Sequence, residues 1–158
     1  MIGFGDKALE FYKMINPIEH SKSKEIAQKY KVEPYVLAAD IYGIGNLAGQ
    51  GGWTWYTGSS SWYYIAGIEY ILGLKIEKGF LTINPCIPKE WKEYVAQLKW
   101  KNSIYNIKVS NQGIKNVGNT AANSSLDLGI QKVLLNGKEV VNKIKLEDSG
   151  VYNIIVEQ

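Results

Sequence analysis

The sequence predicts an α+β protein in two parts, 1–73 helical and 74–158 stranded, and three observations carry that prediction. Up to Leu72 the text is aromatic and Ala-rich, with apolar residues at helical spacing. From Leu74 onward apolar and polar residues alternate with period two, between clusters of Asn and Gly. Within QKVLLNGKEV, the pair Asn136–Gly137 is a hairpin turn signal, because both positions tolerate the positive φ such turns require.

In GDKALEFYKMIN (5–16) the spacing puts Ala8, Leu9, Phe11, Tyr12 and Ile15 on one helical face, with Asp6 as N-cap and Pro17 as the stop. NPIEHSKSKEIAQKYKV reads as a polar loop with a turn of helix at 23–29. PYVLAADIYG (34–43) reads as a second helix, Pro34 near its first position and Gly43 after its end. A third helix is predicted over Ser59–Leu72, starting at Gly58–Ser60 under a serine cap and closed by Gly73. The strand text follows: a hairpin in LKIEKGFLTINP about Glu77–Gly79, then AQLKWKN, SIYNIKVSN, the QKVLLNGKEV hairpin and VYNIIVE, together an antiparallel sheet or sandwich. GIKNVGNTAANSSLDLG (113–129) reads as a long polar loop. Three helical segments are too few to bury their own aromatic faces, so they pack on the sheet or on neighbours outside this sequence.

Composition narrows the function. The net charge of +3 comes from lysines scattered along a chain without arginine, whereas a nucleic-acid surface calls for a basic stripe. A single cysteine, Cys86, excludes an intramolecular disulfide and any multi-cysteine metal site, so no metal is expected. The first residues lack the pattern of a signal peptide, and no apolar run approaches the roughly 20 residues that span a bilayer. The expectation is a soluble, cytoplasmic protein with neither nucleic-acid nor membrane partners.

The chemistry-bearing text is GGWTWYTGSSSWYY (51–64). Thr57, Gly58 and Ser59, followed by Ser60, offer backbone N–H groups of a first helical turn, close backbone approach and hydroxyl donors, a combination suited to phosphate or sulfate. An ordinary serine-capped helix is the alternative reading of the same residues. Trp53, Trp55, Tyr56, Trp62, Tyr63 and Tyr64 offer ring faces for sugars, with core packing as the alternative. The 62, 65, 66 spacing assigns part of the set to a core stripe and leaves Trp53 and Trp55 for a pocket. His20, in a polar loop, has no second histidine for a metal. Cys86, between prolines and apolar residues, reads as a buried structural thiol. Glu33 and Asp40 lie seven apart, on one face if the second helix forms, and no residue reads as a catalytic acid.

Taken in order, GDKA, NPIEH, YKVEPYVLAADIY (30–42), GGWTWYTGSSSW (51–62), ILGL (71–74), LTINPCIPKEW (81–91) and SIYNIKVSN (103–111) resemble the C-terminal region of glycoside hydrolase family 94. That family holds cellobiose and chitobiose phosphorylases and the phosphorylase-like end of cyclic β-1,2-glucan synthase, and the Trp-Thr-Trp-Tyr form looks closer to the glucan-synthase-like members. The resemblance implies that 1–73 are the last helices of an (α/α)6 barrel, followed by a C-terminal β domain, with the rest of the barrel lying upstream. It implies phosphate contacts at Thr57 and Gly58, with Ser59 beside them, and inorganic phosphate as co-substrate in place of a cofactor. Trp53, Trp55 and Asp40 become candidate sugar contacts to a β-linked gluco-oligosaccharide. Where cellobiose phosphorylases carry a sugar-contacting Gln, this chain has Ala39 or Asp40, and His20 does not match the family's phosphate-contacting His. The family's general acid belongs to an upstream motif, so these residues alone are expected to be inactive. A non-catalytic carbohydrate-binding or interaction module, and one piece of a split enzyme, are the alternatives. The partners implied are the missing barrel domain or a complementary chain, or a second copy through exposed helical faces.

Overall fold

The computed structural model describes residues 4–55, 58–111, 130 and 132–158. Two compact units are present, residues 7–67 and residues 68–158 with the first six residues.

The larger unit is built from strands β3 (Leu74–Glu77), β4 (Phe80–Ile83), β5 (Glu93–Trp100), β6 (Ser103–Ser110), β7 (Lys132–Leu135), β8 (Lys138–Glu139), β9 (Ile144–Lys145) and β10 (Gly150–Glu157). One sheet has the order β5-β6-β10-β7-β8 and the other β3-β4-β9. Their inner faces share one buried cluster in which Leu81, Ile83, Tyr105, Ile107, Val109, Ile154 and Val156 are shut off from solvent. The period-two pattern is what makes this work: along β6, Ser103, Tyr105, Ile107 and Val109 point inward while the residues between them are exposed or half-exposed. Each such aliphatic side chain contributes about 1.5–3 kcal/mol on burial. The hairpins form at the expected turns, with Lys78–Gly79 and Asn136–Gly137 all at positive φ.

One expectation is corrected here. The five-stranded sheet is mixed, because β10 runs parallel to β6, with Gly150 opposite Ser103 and Glu157 opposite Ser110. The reason lies in the approach to β10. The Glu147 carbonyl accepts from Ser103 Oγ at 2.7 Å, and its N–H donates to Tyr105 Oη at 2.6 Å. Asp148 Oδ1 accepts from the Asn102 backbone and side chain at 3.3 and 3.0 Å. These bonds hold the incoming chain at the start of β6, so β10 sets out in the same direction. The loop predicted at 113–129 lies outside the described residues.

Residues 7–67 contain most of α1 (Gly5–Met14), α2 (Lys24–Tyr30), the two-residue strands β1 (Asp40–Ile41) and β2 (Gly51–Gly52), and α3 (Ser59–Ile65). Helix α2 is capped by Ser23, whose side chain accepts from the Ile26 N–H, and ends on Lys31 at φ 54°. The helix expected over 34–43 does not form. Val36 and Leu37 are buried from a non-helical segment, and Asp40 and Ile41 pair antiparallel with Gly52 and Gly51. Gly51 permits that pairing, since a Cβ there would stand 2.6 Å from Val32 Cγ2 and 3.0 Å from the Tyr30 ring. With the helix goes the one-face relation of Glu33 and Asp40.

Two further expectations change. Helix α3 starts where predicted, with Gly58 rather than a serine at the N-cap position. The helix then widens into a π-helical stretch, Ala66–Ile71, before Gly73. Along α1 the predicted core stripe is only partly used: Leu9 is buried, Ala8 and Tyr12 are half-buried, and Phe11 and Ile15 are exposed. Asp6, expected as an N-cap, instead accepts from the Lys89 N–H at 2.9 Å.

Candidate functional site

The candidate site grows from the β1–β2 pair. Opposite Gly52 stands Asp40, an exposed residue whose carboxylate occupies the space a side chain at 52 would need, 2.7 Å from that Cβ position. The Ala39 N–H is shared between the carbonyls of Gly52 and Trp53, at 3.2 and 3.3 Å, which fixes the exit of the strand. Immediately beyond it the backbone enters the left-handed region twice, at Trp53 (φ 52°) and Trp55 (φ 70°). A tryptophan seldom adopts that conformation, because its Cβ crowds the backbone, and such strain persists only where surrounding contacts hold it.

Those contacts are visible at Trp55. Its indole Nε1 donates to Glu33 Oε1 at 3.2 Å, and its ring meets Tyr35 edge-to-face with centroids 6.3 Å apart. Glu33 is held as an anion: its own backbone N–H and then the indole keep its pKa below the usual carboxylate range. Despite these ties, Trp53 and Trp55 remain 69% and 67% exposed, so neither is a core residue. Trp62, assigned to a core stripe by its spacing, is also outside any core, at 74% exposure. Its indole lies beside the start of α3, where a side chain at Gly58 would meet Trp62 Cδ1 at 3.8 Å. Tyr63 by contrast is packed: it stacks on Tyr12 at 3.8 Å and its hydroxyl donates to the Tyr12 carbonyl at 3.1 Å. Burial, reinforced by the neighbouring Tyr12 side chain, pushes the phenol pKa well up.

Of the predicted phosphate residues, Gly58 and Ser59 stand at the first turn of α3, and Thr57 lies outside the described residues, as does Tyr56. The first intrahelical bond runs from the Trp62 N–H to the Gly58 carbonyl. Amides ahead of Trp62 therefore have no carbonyl four residues back within the helix. His20 is remote in role: its ring stacks on Tyr30 at 4.3 Å and Nε2 donates to the Met14 carbonyl at 2.6 Å. Cys86 is buried, and burial raises its thiol pKa, as expected of a structural thiol. Glu33 and Tyr35, the residues that support Trp55, were missed as site residues because 34–43 reads as helix. The EPY triplet within the family-like block was the available signal. A shallow cavity of about 280 Å³ in the β unit, lined by Tyr105, Leu135, Val140 and Tyr152 among others, contains none of the candidate residues. Among the described residues, no three acidic, histidine or cysteine side chains stand where they could hold a metal ion, and no helix is long and apolar enough to cross a membrane.

Both parts of the chain match models of glycoside-acting families. Residues 1–73 match the glycosyl hydrolase 94 superfamily catalytic domain. Residues 74–119 match the C-terminal domain of glycosyl hydrolase family 65. The chain is 49% identical over 105 residues to the cyclic beta-(1,2)-glucan synthase NdvB of Rhizobium meliloti (strain 1021), covering 66% of this chain and 4% of that protein. It is 31% identical over 153 residues to the N,N'-diacetylchitobiose phosphorylase of Vibrio furnissii, covering 96% of this chain and 17% of the relative. The solabiose phosphorylase of Paenibacillus borealis is 25% identical over 149 residues, 90% of this chain and 17% of the relative. The chain thus spans less than a fifth of the length of these relatives.

Proposed function

We propose that residues 51–62 form the phosphate- and sugar-facing loop of an inverting β-glucoside phosphorylase or a cyclic β-1,2-glucan synthase-like enzyme. In this reading residues 1–73 are terminal helices of an (α/α)6 barrel and 74–158 its C-terminal β domain. Thr57, Gly58 and Ser59 cradle inorganic phosphate at the start of α3, while Trp53 and Trp55 stack on a β-linked gluco-oligosaccharide and Asp40 bonds its hydroxyls. Phosphate attacks the anomeric carbon with inversion while one carboxylic acid protonates the leaving oxygen, so the second carboxylate of an inverting hydrolase is not needed. That acid comes from sequence outside these residues, in the same polypeptide or in a complementary one, and the 158 residues alone are inactive.

The observation that carries this reading is the strap itself: two tryptophans at positive φ, ring-exposed, one of them tied to an anionic Glu33. The match of 1–73 to the glycosyl hydrolase 94 catalytic domain supports it. The test is a phosphate titration followed by amide chemical shifts, with Thr57→Ala as control. Saturable shifts at 57–60 that disappear in the variant are expected, and phosphorolysis of a β-glucobiose by the isolated chain would overturn the assignment of the acid. The same exposed rings favour a second reading, a carbohydrate-binding module without chemistry. Oligosaccharide binding that ignores phosphate, together with no phosphate shift at 57–60, would select it.

A further inference from the structure

Strand β5 is the open edge of the five-stranded sheet: among the described residues it pairs only with β6. The Asn111 N–H bonds the Lys92 carbonyl, which fixes the phase of the ladder. Even-numbered residues of β5 turn their N–H and C=O groups toward β6, and Glu93, Val95, Gln97 and Lys99 turn theirs away from it. Their side chains stand on the exposed sheet face, whereas Tyr94, Ala96, Leu98 and Trp100 pack against the core. The edge carries none of the usual protections of shortness, proline or a bulge: it is eight residues long and regularly paired over its whole length.

We propose that this edge is an interface with a second copy of the same chain, the two β5 strands pairing antiparallel about Ala96. The charges choose both partner and register. Centred on Ala96, Glu93 of each copy faces Lys99 of the other, and Val95 faces Gln97. Glu93 already pairs with Lys108 of β6 at 2.8 Å, so the pairing extends an alternating row of positive, negative and positive charge across the joined sheets. In this register all four outward-facing residues of each strand fall at hydrogen-bonded positions, giving about eight main-chain bonds. Moving the centre by one residue either way leaves outward groups unpaired and removes the Glu93–Lys99 opposition. A strand of unrelated sequence could use the same edge, but it would lack this self-complementarity.

Sedimentation velocity over a concentration series tests the pairing in the 158-residue chain. The wild type is expected to shift from monomer to dimer as concentration rises, and Val95→Pro to remain monomeric. Pro is compatible with the fold there, because the Val95 N–H does not serve the β5–β6 ladder. Lys99→Glu alone and Glu93→Lys alone, which set like charges face to face, are each expected to be monomeric, and an equal mixture of the two to dimerise. The mixing result stands even if the proline variant fails to fold by circular dichroism. A wild type that stays monomeric throughout, or a dimer that survives both single charge variants, overturns the proposal; the latter outcome would place self-association on the exposed helical faces instead. Phosphate binding at 57–60 is scored separately, so the two proposals fail independently.

Discussion

Across residues 68–158, Leu81, Ile83, Tyr105, Ile107, Val109, Ile154 and Val156 are closed from solvent, whereas across 7–67 Phe11, Met14, Ile18, Tyr35, Trp53, Trp55, Trp62 and Tyr64 stand exposed. The difference is one of available partners. Two sheets facing each other satisfy both inner faces, because every second residue of each strand meets a counterpart. Among the described residues of 7–67, only Leu9, Tyr30, Val36 and Leu37 are buried large apolar side chains. Order there comes from particular pairs: Tyr12 on Tyr63, His20 on Tyr30, Trp55 on Glu33. Burial holds the first region and pairwise contacts hold the second. The exposed rings of Trp53, Trp55 and Trp62 belong to the second.

Substitutions sharpen that contrast. The largest effect belongs to Leu81→Ala, which opens a cavity where both sheets meet; a loss of about 2–5 kcal/mol is expected in denaturant unfolding followed by circular dichroism. Next comes Gly73→Ala. At φ 74° its Cβ would lie 2.1 Å from the Asn84 backbone, so a loss of about 1–3 kcal/mol is expected by the same measurement. In 7–67, Tyr63→Phe keeps the stack on Tyr12 but removes the hydroxyl's bond, costing about 1 kcal/mol, read as faster amide exchange in α1 and α3. Smallest is Phe11→Ala, expected to change stability by no more than about 0.5 kcal/mol because the ring is already 61% exposed. A loss at Phe11 matching that at Leu81 would break the contrast.

What could be read from sequence follows the range of the interactions. Lys78–Gly79 and Asn136–Gly137 encode their turns locally, and the alternation in SIYNIKVS fixes which side chains face the core, so the hairpins were legible. The parallel pairing of β10 with β6 was not, since it depends on Ser103, Tyr105 and Asn102 gripping residues 147 and 148 more than forty positions away. The helical reading of 34–43 failed because Val36 and Leu37 are satisfied by burial without a helix and Gly51–Gly52 offers Asp40–Ile41 a strand partner. At the candidate site the start of α3 near Gly58 was legible from its serine run. The positive φ of Trp53 and Trp55 was not, because no local pattern marks a bulky residue for that conformation.

The central place of β10 bears on how the chain emerges from a ribosome. A nascent chain halted before Gly150 holds the β5–β6 and β7–β8 hairpins but lacks the strand that separates and joins them, since β10 lies between β6 and β7. The five-stranded sheet therefore closes only after residue 157 has cleared the exit tunnel, and until then β6 and β7 each present an unpaired strand edge to chaperones and to other nascent chains.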